Sequence, residues 1–591
     1  MTMRPVTFGD CFGWLHHGTD CRFGVVICAS WEYEAAVVGP ALRVFADHLA
    51  RAGLAALRFD YPGCGDSLRS GDSAEAFDDA LASIRTAVTT LRAETGVAHV
   101  ALAGHRLGAA LALEAATTLD VDSLVLISPV LRGRAFLSEQ RSLFRILQSY
   151  SPVPLDDGAD VLILEGFRLN ATSQARIKAL DLTTATTALT KPVLIAGEDG
   201  WSDYDLLNDS LIARGGRVSR YPLAQPEAWA PALIPPPPPF ADYDAITTWL
   251  QNSWLQSSSL ESSWHESSSP QHSTPPTAAL PPPQETALWA QDGFQESVVA
   301  FGPGDDLIGI MCRPVETDNA GRVVVFLNTG ANSHIGAGRA AVHHARDLAR
   351  RGIASFRIDI KGLGDAAWSA EGAVSAIHQA DRKADVAAAL DVLQMRGYRD
   401  ITLVGICSGA FLAFHSALAD RRVSRIVLTN PRLWLEPTTE QRHQSLHGTH
   451  VTSPLTSYIG KLLRKDTWRR LFKGDLQIAR GRHILATVFL RALRRSTLGL
   501  SRISSVLFSQ PRKPGALASL FAQLHARGCA VLLVLSEGDP AHAITTTLLP
   551  LSELKAVAGL RLIEAEGADH NFAIPRTRAV LLALICEFVS A

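Results

Sequence analysis

Short, almost wholly apolar runs alternate along this chain with longer stretches in which apolar residues recur every three or four positions. In the second half the runs are VVVFLN, ASFRIDI, ITLVGI, RIVLTN and AVLLVLS, with AGRAAVHHARDLARR and HQADRKADVAAALDVLQMRG among the stretches between them. A run with no polar face is a strand covered on both sides, and the recurrence in between is that of an amphipathic helix. The pattern predicts a mainly parallel sheet flanked by helices. Ahead of it, FQESVVAF and LIGIMCRP predict an antiparallel hairpin at one edge. The first half shows the same order in FGVVICAS, AALRFDY, HVALAG, SLVLISP and KPVLIAG.

The two halves are copies. FADHLARAGLAALRFDYPGCGDS, from Phe45, returns as HARDLARRGIASFRIDIKGLGDA, from His344, which sets Asp60 against Asp359 at an offset of 299. A shared offset over that distance means one domain written twice. Between the copies the chain turns to Ser, Pro and Gln, as in SSSLESSWHESSSPQHSTPPTAALPPP, with too little apolar content to pack. The expected organisation is a domain over 1–253, a linker over 254–285 and a second domain over 286–591. About 95 residues separate RIVLTN from AVLLVLS, far more than an ordinary connection. They predict a helical cap at about 436–522, and a cap is expected in the first copy too.

Chemistry enters at the joint between ITLVGI and the helix after it. Gly405-Ile406-Cys407-Ser408-Gly409 has the form glycine, any residue, nucleophile, any residue, glycine. The nucleophile of such an elbow sits in a strained turn, and the flanking glycines let strand and helix approach closely. A helix N-terminus behind it offers N–H groups to a developing oxyanion and lowers the pKa of a thiol. A small buried cysteine is the plain alternative. An acid and a histidine should follow in that order. VLLVLSEGDPA delivers Asp539 just past a strand, with Glu537 as the competing acid, and EAEGADHNF delivers His570 after LRLIE. Neutral imidazole there takes the thiol proton, and a carboxylate holds its tautomer. The first oxyanion donor is expected at the Ser408 N–H, the second in the loop NTGANSHIG, with Gly330 the choice. His334 in that loop is expected in solvent, with the pocket as the alternative. His415 is expected to pack.

The first copy departs from this at each position. Arg106 stands at its elbow, in Gly104-His105-Arg106-Leu107-Gly108. A guanidinium stays charged and does not attack a carbonyl. No histidine occurs between His105 and His265, so the base is missing, although Asp199 keeps an acidic turn. This copy is expected to be non-catalytic, with Arg106 either gripping an anion or salt-bridged in the structure.

Composition narrows the classes further. Apolar residues make up 47% and charged residues 19% of 591, and the net charge is −2. That suits globular domains and argues against a nucleic-acid binder. The eight cysteines form no CxxC pair, so neither a zinc site nor a disulfide framework is expected; no metal or cofactor is. No long apolar stretch suggests a membrane span, and the N-terminus lacks the core of a secretory signal. A cytoplasmic setting is expected. Lys461 to Arg495 holds 11 Lys and Arg against two Asp. That run is either a solvated face or a dock for an acidic acyl carrier protein or coenzyme A.

Both halves resemble α/β-hydrolase-fold proteins of the serine aminopeptidase S33-like group. The second resembles the exosortase A system-associated hydrolase of type 1, through GICSGA, RIVLTNPRLWLE, YIGKLLRKDTWRRLFKGD and LLVLSEGDPA…GADHNF. The first resembles type 2, which also carries arginine at the elbow, through YPGCGDS, GHRLGAALAL and LVLISPVLRGRAFLSEQ. Fusion in one chain departs from those separate proteins. The resemblance implies two tandem α/β-hydrolase-fold domains. With the Cys407, Asp539 and His570 reading, it implies an acyl hydrolase acting on an ester or thioester through an acyl-cysteine. An acyltransferase passing the group to an amine or alcohol, and a non-catalytic scaffold, are the alternatives.

Overall fold

Each apolar run is a strand, and each half of the chain builds one sheet from them. A computed structural model describes residues 3–148, 151, 153–155, 161–184, 187–200, 202–231, 236–257, 285–315, 321–367, 382–435 and 515–590. The first half contributes β1 (Met3–Phe8), β2 (Cys11–His16), β3 (Asp20–Cys28), β4 (Leu54–Phe59), β5 (His99–His105) and β6 (Ser123–Ile127). A separate hairpin of β7 (Leu162–Leu164) and β8 (Phe167–Leu169) precedes β9 (Pro192–Gly197) and β10 (Arg217–Pro222). The sheet runs β1-β2-β4-β3-β5-β6-β9-β10. Its first two pairings are antiparallel and the others parallel.

The second half repeats the plan. Its strands are β11 (Glu285–Gln291), β12 (Phe294–Phe301), β13 (Leu307–Arg313), β14 (Arg322–Phe326), β15 (Ala354–Asp359), β16 (Asp400–Ile406), β17 (Val423–Thr429), β18 (Ala530–Ser536) and β19 (Leu560–Ala565). The order is β11-β12-β13-β15-β14-β16-β17-β18-β19. From β12 onward it matches the first sheet strand for strand, with β11 added at the antiparallel edge. Val324, Leu403, Val427 and Leu533 on neighbouring strands are fully buried. This is why these strands read as apolar on both faces: helices cover the sheet on either side. The hairpin expected from FQESVVAF and LIGIMCRP is the antiparallel pair β12 and β13. The helix Phe240–Ser257 runs into the segment expected as linker; residues 258–284 lie outside the described residues. So do 436–514, which hold nearly all of the expected cap and the basic run Lys461–Arg495.

The two copies meet through equivalent strands and loops, and the repeat offset shows how. Arg58 pairs with Asp365 at 2.7 Å, and Arg357 pairs with Asp66 at 2.6 Å. Residues 58 and 357, and 66 and 365, both differ by 299, so each ion pair is the other with the domains exchanged. Arg339 adds donations to the carbonyls of Gly65 at 2.8 Å and Ser67 at 2.7 Å. His334 is buried in the middle, with Nδ1 2.6 Å from Asp359 and Nε2 2.6 Å from Asp66. Both ring nitrogens face carboxylates, so the ring is an imidazolium held by one acid from each half. Burial opposes its charge, but Asp359 and Asp66 raise His334 well above its ordinary value. The expectation of a solvated loop histidine therefore fails: the loop is covered by the other copy.

Candidate active site

Strand β16 ends at Ile406, and the helix Ser408–Ala419 begins two residues later. The one residue between them, Cys407, has φ 55° and ψ −113°, in the left-handed half of the map that costs a side chain energy. The glycines pay for the approach. A Cβ on Gly405 would lie 2.1 Å from the Gly409 carbonyl oxygen, and one on Gly409 would lie 2.6 Å from that of Asn328. Any larger residue at either place would push helix and strand apart. The elbow of the first copy has the same shape: Arg106 has φ 52° and ψ −116°.

Acid and histidine come from the ends of the next strands. Asp539 follows β18 and caps the helix Pro540–Leu548, accepting from the Ala541 N–H at 2.8 Å. Its other oxygen lies 2.8 Å from His570 Nδ1. Asp539 is buried, whereas Glu537 is exposed, so the geometry joins Asp539 and not Glu537 to the histidine. His570 also lies close enough to Cys407 for each to shift the other's proton affinity. Burial alone would push the Cys407 thiol up, yet His570, Arg432 and the Ser408 N–H together hold it below its ordinary value. Burial also works against the imidazolium, but Asp539 and Cys407 raise His570 to about 9. Asp539 likewise stays below the usual carboxylate range despite its burial, because His570 bonds it. The shifts run in the directions that favour a thiolate beside an imidazolium, with a carboxylate on the ring's far side.

The Ser408 N–H helps to hold the Cys407 thiol below its ordinary value. Gly330 lies beside the elbow, and its N–H donates to Ser408 Oγ at 2.8 Å. His415 packs as expected, its Nε2 2.9 Å from the Trp434 carbonyl and its ring beside Phe411. Several residues had no signal in periodicity or motif. Asn430, fully buried at the end of β17, donates to Ser536 Oγ at 2.9 Å and to the His570 carbonyl at 2.8 Å. It ties the acid loop to the histidine loop. Arg432 lies 3.9 Å from Asp539, and its charge helps lower both Cys407 and Asp539.

In the first copy Arg106 pairs with Glu34 and Glu139, both at 2.8 Å. Glu34 is fully buried and also accepts from Ser30 and Gln140. The guanidinium charge is thus matched twice over inside the domain. Asp199 is exposed in its turn. Among the described residues, His334, Asp359 and Asp365 offer ligand atoms within 4.8 Å of one another. Arg58 already pairs with Asp365 there, and His334 spends both nitrogens on carboxylates, which makes the cluster an ion-pair network. Among the described residues, no helix is long and apolar enough to cross a membrane.

Comparison with known proteins bears on the same regions. Residues 41–155 and 319–469, the central part of each half, match the family model of serine aminopeptidase, S33. No curated protein matches the chain. Similar solved structures include Est1E from Butyrivibrio proteoclasticus with ferulic acid bound, at 15% identity over 42% of this chain and 96% of that one, TM-score 0.31. The esterase Pf2001 from Pyrococcus furiosus is 12% identical over 42% of this chain and 90% of its own, TM-score 0.31. Proline iminopeptidase from Mycobacterium smegmatis is 13% identical over 43% of this chain and 100% of its own, TM-score 0.29. Two sheets of one strand order, each with an elbow between strand and helix and each matched by the S33 model, make this chain a tandem α/β-hydrolase-fold protein.

Proposed function

We propose that the C-terminal half is an acyl hydrolase of esterase or thioesterase type, acting through a covalent acyl-cysteine on Cys407. The observation that carries this reading is Cys407 on a left-handed elbow at a helix N-terminus, with His570 beside it and held by Asp539. His570 holds the thiol proton, and the Cys407 thiolate attacks the acyl carbon. The carbonyl π pair moves onto oxygen, where the Ser408 N–H receives the negative charge. Gly330 serves as the second donor once the Ser408 hydroxyl rotates away from its N–H. Collapse expels the alkoxide or thiolate, which leaves with the proton from His570. Water then attacks the thioester while His570 takes its proton, and release of the acid restores the thiol. Asp539 keeps the Nδ1–H toward itself, so Nε2 serves the chemistry throughout.

The N-terminal half is a non-catalytic domain in this reading, since its elbow arginine is paired with Glu34 and Glu139 and attacks nothing. If the acyl group arrives on an acidic carrier protein or coenzyme A, the basic run Lys461–Arg495 has the complementary charge. Reversing Arg469 and Arg470 to Glu then raises KM for a carrier-bound substrate and leaves a small neutral ester unaffected. The reading is tested by hydrolysis of 4-nitrophenyl acetate and of acetyl-coenzyme A. Cys407→Ala should fold and lose turnover of whichever substrate the wild type accepts, and an added amine distinguishes transfer from hydrolysis. Equal turnover by the alanine protein rejects the reading.

A further inference from the structure

The hairpin of β7 and β8 in the N-terminal half turns on two residues, Glu165 and Gly166. Both have positive φ, 48° and 85°. That combination belongs to a type I′ turn, whose first position suits Asn, Asp or Gly. Glutamate there strains the backbone for no benefit to the turn itself, so its carboxyl must act elsewhere.

The turn lies against the loop that carries His570. A Cβ on Gly166 would come within 2.6 Å of the Ala573 Cβ and 2.8 Å of its carbonyl oxygen. On its other side, a Cβ on Gly338 would come within 2.5 Å of the Gly166 carbonyl carbon. The tip is therefore wedged between two loops of the C-terminal half. Glu165 Oε2 accepts from Asn571 Nδ2 at 3.0 Å, and Asn571 follows His570 directly. This loop has other anchors within the C-terminal half. Asn430 bonds the His570 carbonyl, and Asp569 accepts from the Ala573 N–H at 2.9 Å and from Thr577 Oγ1.

We propose that Glu165 is a positioning residue for the C-terminal catalytic site: through Asn571 it fixes the loop that presents His570 to Cys407. The N-terminal half thus completes a site that it no longer duplicates. This rests on the Cys407–His570–Asp539 reading above. Burial raises the Glu165 carboxyl above its ordinary value, and the Asn571 bond, with a smaller contribution from the His570 charge, pulls it back toward ionisation.

The test uses the full chain and reads the thiol directly. Alkylation of Cys407 by iodoacetamide, followed by peptide mass spectrometry from pH 5 to 10, reports the thiolate paired with His570. Four variants are compared by this profile and by melting temperature. Glu165→Asn gives the turn its favoured residue but a shorter side chain. It should keep or raise the melting temperature while slowing alkylation at pH 6 by about tenfold, the scale of a misplaced reacting group. Glu165→Gln keeps an acceptor of the same reach and should stay within about threefold of wild type. Asn571→Ala should fall as Glu165→Asn does, and the double variant no further, because the two residues act through one contact. A Glu165→Asn protein with a lowered melting temperature and an unchanged profile would make the turn purely structural and overturn the proposal. So would additive losses in the double variant. If wild-type Cys407 itself alkylates as an ordinary thiol, rising about tenfold per pH unit to pH 9, the triad reading fails and this inference falls with it.

Discussion

Replacing Asp539 with Asn isolates what the buried carboxylate does. Asn and Asp are equally good at the start of a helix, so the cap on the Ala541 N–H survives and the fold should hold. The charge facing His570 Nδ1 at 2.8 Å does not. Holding His570 at about 9 in place of 6.5 corresponds to about 3 kcal/mol in favour of the imidazolium, at about 1.4 kcal/mol per pH unit. The hydrogen bond to Asp539 is the largest favourable part of that. Without it, burial dominates and the ring stays neutral at pH 7. The thiol then loses its cation and returns to its ordinary value of 9.0 or above. At pH 7 about 1% of it is thiolate, so alkylation and ester hydrolysis should both fall by about 10- to 100-fold and climb steeply toward pH 9. The wild type should be flatter, because its thiol is already held below its ordinary value. The assay is iodoacetamide alkylation of Cys407 beside 4-nitrophenyl acetate hydrolysis, from pH 5 to 10. An Asp539→Asn protein with the wild-type profile and rates within about twofold would refute the argument, since a spectator carboxylate behaves that way.

Arg106→Ala strands the buried Glu34 carboxylate and should cost about 3–5 kcal/mol by denaturant unfolding, while the rate per folded molecule stays at the wild-type value. A loss of turnover as deep as that of Cys407→Ala in folded protein would show that the chemistry uses the first copy. His334→Asn should cost a similar amount, because it removes the cation between Asp66 and Asp359 and leaves Arg357 to pair with Asp66 alone. The folded pKa of His334 lies well above its unfolded 6.5. Its stabilisation is therefore full below about pH 6.5 and lost as pH rises through the raised value. The gap between wild type and variant should be wide at pH 6 and narrow at high pH; a gap independent of pH would mean that the ring is neutral.

The architecture was legible because a strand covered on both faces leaves an unbroken apolar run, and RIVLTN and AVLLVLS could be nothing else at their length. The elbow was legible because the approach of Gly409 to the Asn328 carbonyl admits no side chain, and that demand is written locally as glycine spacing. Asp539 and His570 stood at strand ends in the order the elbow required. What stayed hidden was pairing across distance. His334 sits in a polar, glycine-bearing loop, and nothing local says that Asp66, 268 positions earlier, will bury it. Arg106 offered two readings until Glu34, 72 positions away, appeared beneath it. Glu165 gave no sign, because its meaning is a turn conformation and a neighbour 406 positions on.

The central claim is that Cys407 carries the acyl group. Rapid mixing of the full chain with 4-nitrophenyl acetate, acid quenching and peptide mass spectrometry tests it most directly. The peptide holding Cys407 should gain one acetyl group before the steady state and lose it as hydrolysis proceeds. Cys407→Ala should show neither the adduct nor turnover, and Cys407→Ser at most a slow trace, since a hydroxyl is a weaker nucleophile at its own pKa. Hydrolysis by the alanine protein at the wild-type rate, or an acetyl group that accumulates and decays with turnover on any other residue, would contradict the account.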